Sequence, residues 1–211
     1  TVWSGTQGPN VVRTAVADAL DIPVEHVRII TFEASGCYGR NGSDPATIDA
    51  ALMSQLVGQP VRVQWMRHDE HGWDPKGPPT LLQHRAALDA SGSLVAWEGE
   101  LFAPDRSKPF AVTLTTAEHA GLPKDDAFPG NIHQMMAIPY AVPNIKSTAH
   151  WLAETPFRPS WIRTPGRMQN TYANECFMDE CATAASADPL EYRRRLLKDA
   201  PGEFQPGEVL I

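Results

Sequence analysis

The residue order predicts an α/β fold (α+β in its later half), with mixed sheet layers packed with helices. Three observations predict it. Short segments rich in β-branched residues alternate with helical-period segments over residues 1–66. Two extended segments then flank Ala90-Ser91-Gly92, the pattern of a hairpin with a glycine turn. A further extended segment precedes two helical stretches near the end of the chain.

Taken in order, Thr1-Val2-Trp3 reads as a short strand. Ser4-Gly5-Thr6-Gln7-Gly8-Pro9 follows as a turn able to start a helix, with Ser/Thr available as caps and Pro tolerated in the first turn. Val12, Val16, Ala19 and Leu20 recur at helical spacing and carry that helix to Asp21. Residues 27–32 alternate as a strand and lead into an irregular loop, 33–43, with Gly36, Gly39 and Gly42 at intervals of three. Asp44-Pro45 is an N-cap followed by Pro at the first helical position, and that helix runs through Val57 to a stop at Gly58. Residues 61–66 read as another strand, which completes a β-α-β-α-β order. Residues 80–89 and 93–102 form the expected hairpin. Residues 145–152 read as a strand, 153–166 as a Pro-rich connector, and two helices follow, one to Ala185 and one from Asp188-Pro189 to about Asp199. The resulting organisation is a βαβαβ lobe plus hairpin carrying cofactor loops at 1–102, a long Pro-rich loop at 103–144, a strand, cofactor loop and two helices at 145–199, and a tail at 200–211. A loop as long as 103–144 inside a compact domain is expected to be a lid, a partner surface or disordered.

Composition narrows the function classes. The chain has 211 residues, 42% hydrophobic and 20% charged, enough for one large domain or two small lobes. A net charge of −7 gives no basic footprint, so nucleic acid is not an expected partner. The apolar runs are too short to span a bilayer. Cys37, Cys176 and Cys181 show neither CxxC nor Cys/His metal spacing, so no metal site is expected on protein ligands. Cys176 and Cys181 point to different faces of one helix and are read as unbridged thiols. The chain starts without Met and as if inside a strand, which reads as a piece of a longer protein. Its location is left open between cytoplasm and periplasm.

Three loops carry candidate chemistry, because each lies where a strand gives way to a helix and backbone N–H groups can face an anion. Gln7 places an amide donor and acceptor at a helix mouth, although alone it reads as a cap. Gly36, Cys37, Tyr38, Gly39 and Arg40 have the context of a phosphate loop, but the spacing fits neither GxGxxG nor GxxxxGK[ST]. Arg163, Thr164, Gly166, Arg167 and Gln169 put two arginines around Pro165-Gly166, which is equally a pair of solvated arginines. Arg67-His68-Asp69-Glu70-His71 lacks the HExxH pattern and reads as a polar helix end. Glu175, Asp179 and Glu180 read as the acidic outer face of a helix, and residues 193–195 as a solvated, arginine-rich helix end.

In order, these segments resemble one family. Thr6-Gln7-Gly8-Pro9 looks like the TQ loop of the molybdopterin-binding large subunit of molybdenum hydroxylases, the xanthine oxidase and aldehyde oxidoreductase family. Gly36-Cys37-Tyr38-Gly39-Arg40 stands where that family has GGFG, and Ile162-Arg163-Thr164-Pro165-Gly166 with Gln169 resembles FRGFG..Q. Asn174-Glu175-Cys176-Phe177-Met178-Asp179-Glu180 and Asp188-Pro189-Leu190-Glu191-Tyr192-Arg193 resemble its ESFMDELA and DPLEFR helices, and Gln59-Pro60-Val61-Arg62-Val63 with Asp69-Glu70 its GRPVR…R.E stretch. The likeness covers most of residues 2–199 and is strongest to the isoquinoline 1-oxidoreductase and nicotinate dehydrogenase branch.

The resemblance implies a molybdenum–molybdopterin cofactor in its cytosine dinucleotide form, with no protein ligand to the metal. Gln7 would bond an oxygen ligand or the pterin beside molybdenum. Gly36, Tyr38, Gly39 and Arg40 would approach the centre through backbone groups. Arg163 would face the substrate pocket, with Thr164, Gly166 and Gln169 on the pterin or dinucleotide phosphate. The intact enzyme would oxidise N-heterocycles or aldehydes, small molecules, with water as oxygen source. Its partners would be the remainder of the large subunit and an iron–sulfur electron-transfer subunit or domain. Two departures matter. Asn41-Gly42-Ser43 stands where some members have a pocket Glu, which argues against a xanthine-type purine. The family's catalytic Glu base lies beyond residue 211, so no catalytic residue is assignable and the isolated piece is expected to be inactive. The competing readings are a non-catalytic α/β partner-binding module and a generic phosphate- or nucleotide-binding domain.

Overall fold

The structure is a computed structural model that describes residues 1–38, 41, 44–74, 76–104, 133, 135–153, 159–160, 162–164 and 166–198. Two compact units make up the chain. The first is built on the described parts of residues 1–79 and 153–165, the second on those of residues 80–103, 131–152 and 166–211. The hairpin therefore groups with the C-terminal helices, because its inward face packs on them.

In the first unit, strands β1 (Val2–Ser4) and β2 (Ile29–Thr31) pair in parallel, Val2 opposite Ile29 and Ser4 opposite Thr31. A parallel pair needs a crossover, and helix α1 (Pro9–Leu20) supplies it. Its spacing of Val12, Val16 and Ala19 makes one apolar face, which is buried against Val27, Ile48 and Ala51 with Val2 and Ile29 at the margin. Arg13 fixes the return: its Nε donates to the carbonyls of Val24 and Val27, which pins the short 3-10 turn Val24–His26. Helix α2 (Pro45–Val57) has the predicted bounds, from Asp44 at the N-cap to Gly58, whose φ of 66° ends it.

One predicted element fails. Residues 61–66 form no strand. They keep an alternating exposure, but the indole Nε1 of Trp65 donates to Asp49 Oδ2 of α2 at 2.9 Å, so the segment is tied to a helix. Residues 67–73 likewise form a helix of their own, α3 (Arg67–Trp73), opened by Asp69, which accepts from the Met66 N–H.

In the second unit, β3 (Leu81–Leu88) and β4 (Leu94–Pro104) are antiparallel, Leu81 opposite Phe102, with one register shift at Ala87/Leu88. Strand β5 (Asn144–Leu152) lies on the other side of β4. Helices α4 (Arg167–Ala184) and α5 (Pro189–Lys198) pack against one another, and α4 also packs on β3. Trp97, Met178, Ala182, Tyr192 and Leu197 are the centre of this core. Of the long Pro-rich segment, residues 105–132 lie outside the described residues. In its described end Met136, Ile138 and Tyr140 are buried, and the Ala141 N–H donates to the Leu196 carbonyl. Apolar residues spaced along an irregular backbone fill the core without giving a period to read.

The hairpin turn is held by Asp89, whose Oδ1 accepts from the Ser91 N–H, the Ser91 hydroxyl and the Ser93 N–H. The Ser91 hydroxyl and the Ser93 amide hold the Asp89 carboxyl below its ordinary value. A depressed carboxylate stabilises the fold above its unfolded pKa and loses that contribution as pH falls through its folded value. Protection factors of the Ser91 and Ser93 amides should therefore fall at acid pH, and Asp89→Asn should already lack that dependence. Hydrogen exchange followed by NMR across the acid range measures it.

Candidate functional site

The parallel strand pair positions the site. Both β1 and β2 end at the same edge, and a loop leads from each into a helix. In open parallel sheets this edge is where ligands meet helix N-termini. The two loops touch: a Cβ on Gly5 would lie 2.8 Å from the Ala34 Cβ, and the Phe32 N–H donates to the Ser4 carbonyl. The start of α2 is tied to the same place by the Ser4 hydroxyl, 2.8 Å from that of Thr47. The N-termini of α1 and α2 are thus brought together beside the loop carrying Gln7.

Neither helix start is capped by a side chain. Thr6, one of the Ser/Thr residues available as caps, instead accepts from the Gly8 N–H, and Asp44 sits at the N-cap without a capping hydrogen bond. Helix starts leave N–H groups unpaired by the helix itself, and two such starts favour negative charge beside them. Gln7, two residues before α1, is exposed. The chemistry offered is amide and backbone N–H donation to an anionic, oxygen-rich group.

The second loop folds on itself. Gly36 has φ 127°, accessible to glycine alone, and a Cβ there would lie 2.8 Å from the Tyr38 ring. Tyr38 itself has φ 47°, unusual for a bulky side chain, and remains 69% exposed. Gly39 and Arg40 lie outside the described residues.

The third loop is anchored elsewhere. The Ser160 N–H donates to the Lys76 carbonyl, and Gly77 packs against Ile162. Arg163 and Thr164 are exposed, with Thr164 at φ 55°. Gly166 is the N-cap of α4, also without a side-chain capping bond, and Gln169 is half-buried; both belong to the second unit. Among the described residues, no group of three or more His, Cys, Asp or Glu is arranged to hold a metal ion.

Sequence reasoning missed two polar clusters, both supporting α4. The Asn174 Nδ2 donates to the Met135 carbonyl, so its Oδ1 accepts from His84 Nε2–H at 2.8 Å. Tyr140 donates its hydroxyl to Glu175, and Arg193 binds Glu175 and Asp179 at 2.7 and 2.6 Å. Burial, then the charge of Glu175, pushes the Tyr140 hydroxyl pKa far up. Burial works against the Arg193 charge, but its hydrogen bonds to Glu175 and Asp179 prevail and raise its pKa. Residues 193–195 are therefore not simply a solvated helix end, and Glu175 with Asp179 is not merely an acidic outer face. The one available signal was that Glu175 and Arg193 both stand within the motifs that resemble the hydroxylase helices.

A family profile described as the molybdopterin cofactor-binding domain matches residues 1–197. The chain belongs to that family. This molybdopterin cofactor-binding domain is 38% identical over 199 residues to a subunit of nicotinate dehydrogenase from Pseudomonas putida, covering 94% of this chain and 16% of that protein. Its fold matches aldehyde oxidoreductase from Desulfovibrio gigas at TM-score 0.70 and 18% identity, covering 99% of this chain and 22% of the other. It also matches quinoline 2-oxidoreductase from Pseudomonas putida at TM-score 0.64 and 21% identity, covering 92% and 23% of the two chains. The domain spans about a sixth to a quarter of these relatives. The fold and the family expected from the sequence are thus both established.

The donor set fits the cofactor that the family name implies. An oxygen-rich, anionic pterin needs hydrogen-bond donors and no opposing carboxylate cluster. The joined loops present uncapped helix starts and an exposed amide.

Proposed function

We propose that this domain forms one wall of the molybdopterin site of a molybdenum hydroxylase that oxidises N-heterocycles, with aldehydes as the second substrate class. The observation that carries the reading is the contact of Gly5 with Ala34, which joins the loops leading into two uncapped helix starts, one of those loops carrying Gln7. The 38% identity to the nicotinate dehydrogenase chain supports the N-heterocycle class. When bound, the molybdenum–pterin group supplies a two-electron oxidation of carbon with water as oxygen source.

This chain's residues bind and orient. Gln7 offers its amide to the oxygens of the bound group, while Gly36 and Tyr38 line the approach through their backbone; the resemblance gives Gly39 and Arg40, outside the described residues, the same role. Arg163 faces substrate. Thr164, Gly166 and Gln169, around the uncapped start of α4, favour a second phosphate and hence the cytosine dinucleotide form. The proton-accepting Glu is expected in the remainder of the large subunit, and an iron–sulfur subunit or domain takes the electrons.

The test is molybdenum, pterin and CMP content of the matured, full-length protein, followed by turnover of an N-heterocycle. Stoichiometric molybdenum with releasable CMP is expected; matured protein without molybdenum sinks the reading. Gln7→Ala should retain the fold and lower kcat/KM about tenfold or more, the loss of one donor to a charged group. Steady-state kinetics at matched molybdenum content checks it.

A further inference from the structure

The parallel pair β1–β2 buries only one of its faces. Ser4 is 5% exposed, and Val2 and Ile29 pack at the margin of the core of the first unit. Side chains alternate along a strand, so Trp3, Ile30 and Phe32 stand together on the opposite face. Trp3 lies beside Ile30 in the register, and the Phe32 N–H, just past β2, still bonds the Ser4 carbonyl. Trp3 is 65% exposed, Phe32 57%, and Ile30 is half-buried. Two large rings flanking an isoleucine make a contiguous apolar patch, and such patches mark interaction surfaces. Parallel strands are also found with both faces covered, because their crossover helices lie on the two sides of the sheet. Here α1 and α2 cover one side, and among the described residues the sheet has two strands and an open second side. The occupant follows from length and topology. The domain matches 16% and 22% of two relatives' chains, so most of such a subunit lies outside it. A helix of that remainder suits the face better than a second copy, because parallel strands take their covering helices from their own chain.

We propose that Trp3, Ile30 and Phe32 are a docking face for an amphipathic helix from the remainder of the same large subunit. This rests on reading the domain as part of that subunit. Strands β1 and β2 run into the Gln7 and Gly36 loops, so a helix that covers them braces the two strands that carry those loops.

The test uses the purified, full-length large subunit in its matured complex. Hydroxyl-radical footprinting of wild type should oxidise Trp3 about tenfold or more slowly than in the urea-unfolded protein, the protection of a covered indole. With p-benzoylphenylalanine in place of Trp3, irradiation should cross-link the face to a segment of the same polypeptide outside residues 1–211, one whose apolar residues recur at helical spacing. Oxidation of wild-type Trp3 within about twofold of the unfolded rate overturns the inference. So does a cross-link within residues 1–211, to a second copy, to the iron–sulfur partner or to a segment with strand-like alternation. The wild-type footprint needs no substitution and decides whether the face is covered even where the photoreactive variant does not mature. Neither readout uses molybdenum or turnover, so a subunit without molybdenum refutes the hydroxylase reading and leaves the docking result standing.

Discussion

Replacing Arg193 by Ala should destabilise the protein by about 2–4 kcal/mol, seen as a lower unfolding midpoint in urea with unchanged slope. The guanidinium is 12% exposed and joins four acceptors: Glu175 Oε2, the Glu175 carbonyl, Asp179 Oδ1 and the Pro189 carbonyl. Removing it strands the carboxylate of Glu175, which also accepts from the hydroxyl of the buried Tyr140. Asp179 is 56% exposed and Glu175 35%, so water screens part of the loss and places the value below that of a fully buried pair. Arg193→Lys should recover less than half of it, because an ammonium cannot reproduce the planar fork that serves both helices. Tyr140→Phe alone should cost about 1 kcal/mol, and the double variant should fall short of the sum of its parts.

That cluster also marks where sequence reading stops. Helix α2 is legible because its signals are local: Asp44-Pro45 opens it and Gly58 closes it within the segment itself. The β3–β4 hairpin is legible for the same reason, its turn being set by neighbouring residues 89–93. The role of Arg193 is not, because its partners lie 14 and 18 residues earlier on another helix, and a charge run carries no sign of which carboxylate it will meet. Residues 61–66 alternate like a strand, yet alternation specifies a pleated face and says nothing of a neighbouring strand to bond. The burial of Tyr140 inside a Pro-rich stretch is non-local in the same way. At the candidate site, the positions of Gln7, Gly36 and Tyr38 are legible from loop context, and the fit of Gly36 beneath the Tyr38 ring is not.

Gly5→Val is expected to have the largest effect on the cofactor. Gly5 has no left-handed φ to defend, so the prediction is steric alone: its Cβ would lie 2.8 Å from the Ala34 Cβ and 3.8 Å from the Phe32 ring. Ala34 has no rotamer with which to yield, so the two loops must part. Overpacking of this kind costs about 1–3 kcal/mol, which a stable subunit survives. The displacement nevertheless falls on the contact that brings Gln7 and the two helix starts together. Donors to a charged group weaken steeply with distance and angle, so bound molybdenum should drop about tenfold or more in the purified, full-length variant. Gly5→Ala, with one methyl group to place, should retain an intermediate amount. Metal analysis against an unfolding curve separates the two effects. A Gly5→Val protein that keeps its full molybdenum content with only lowered stability would show that the joined loops hold the fold and not the pterin.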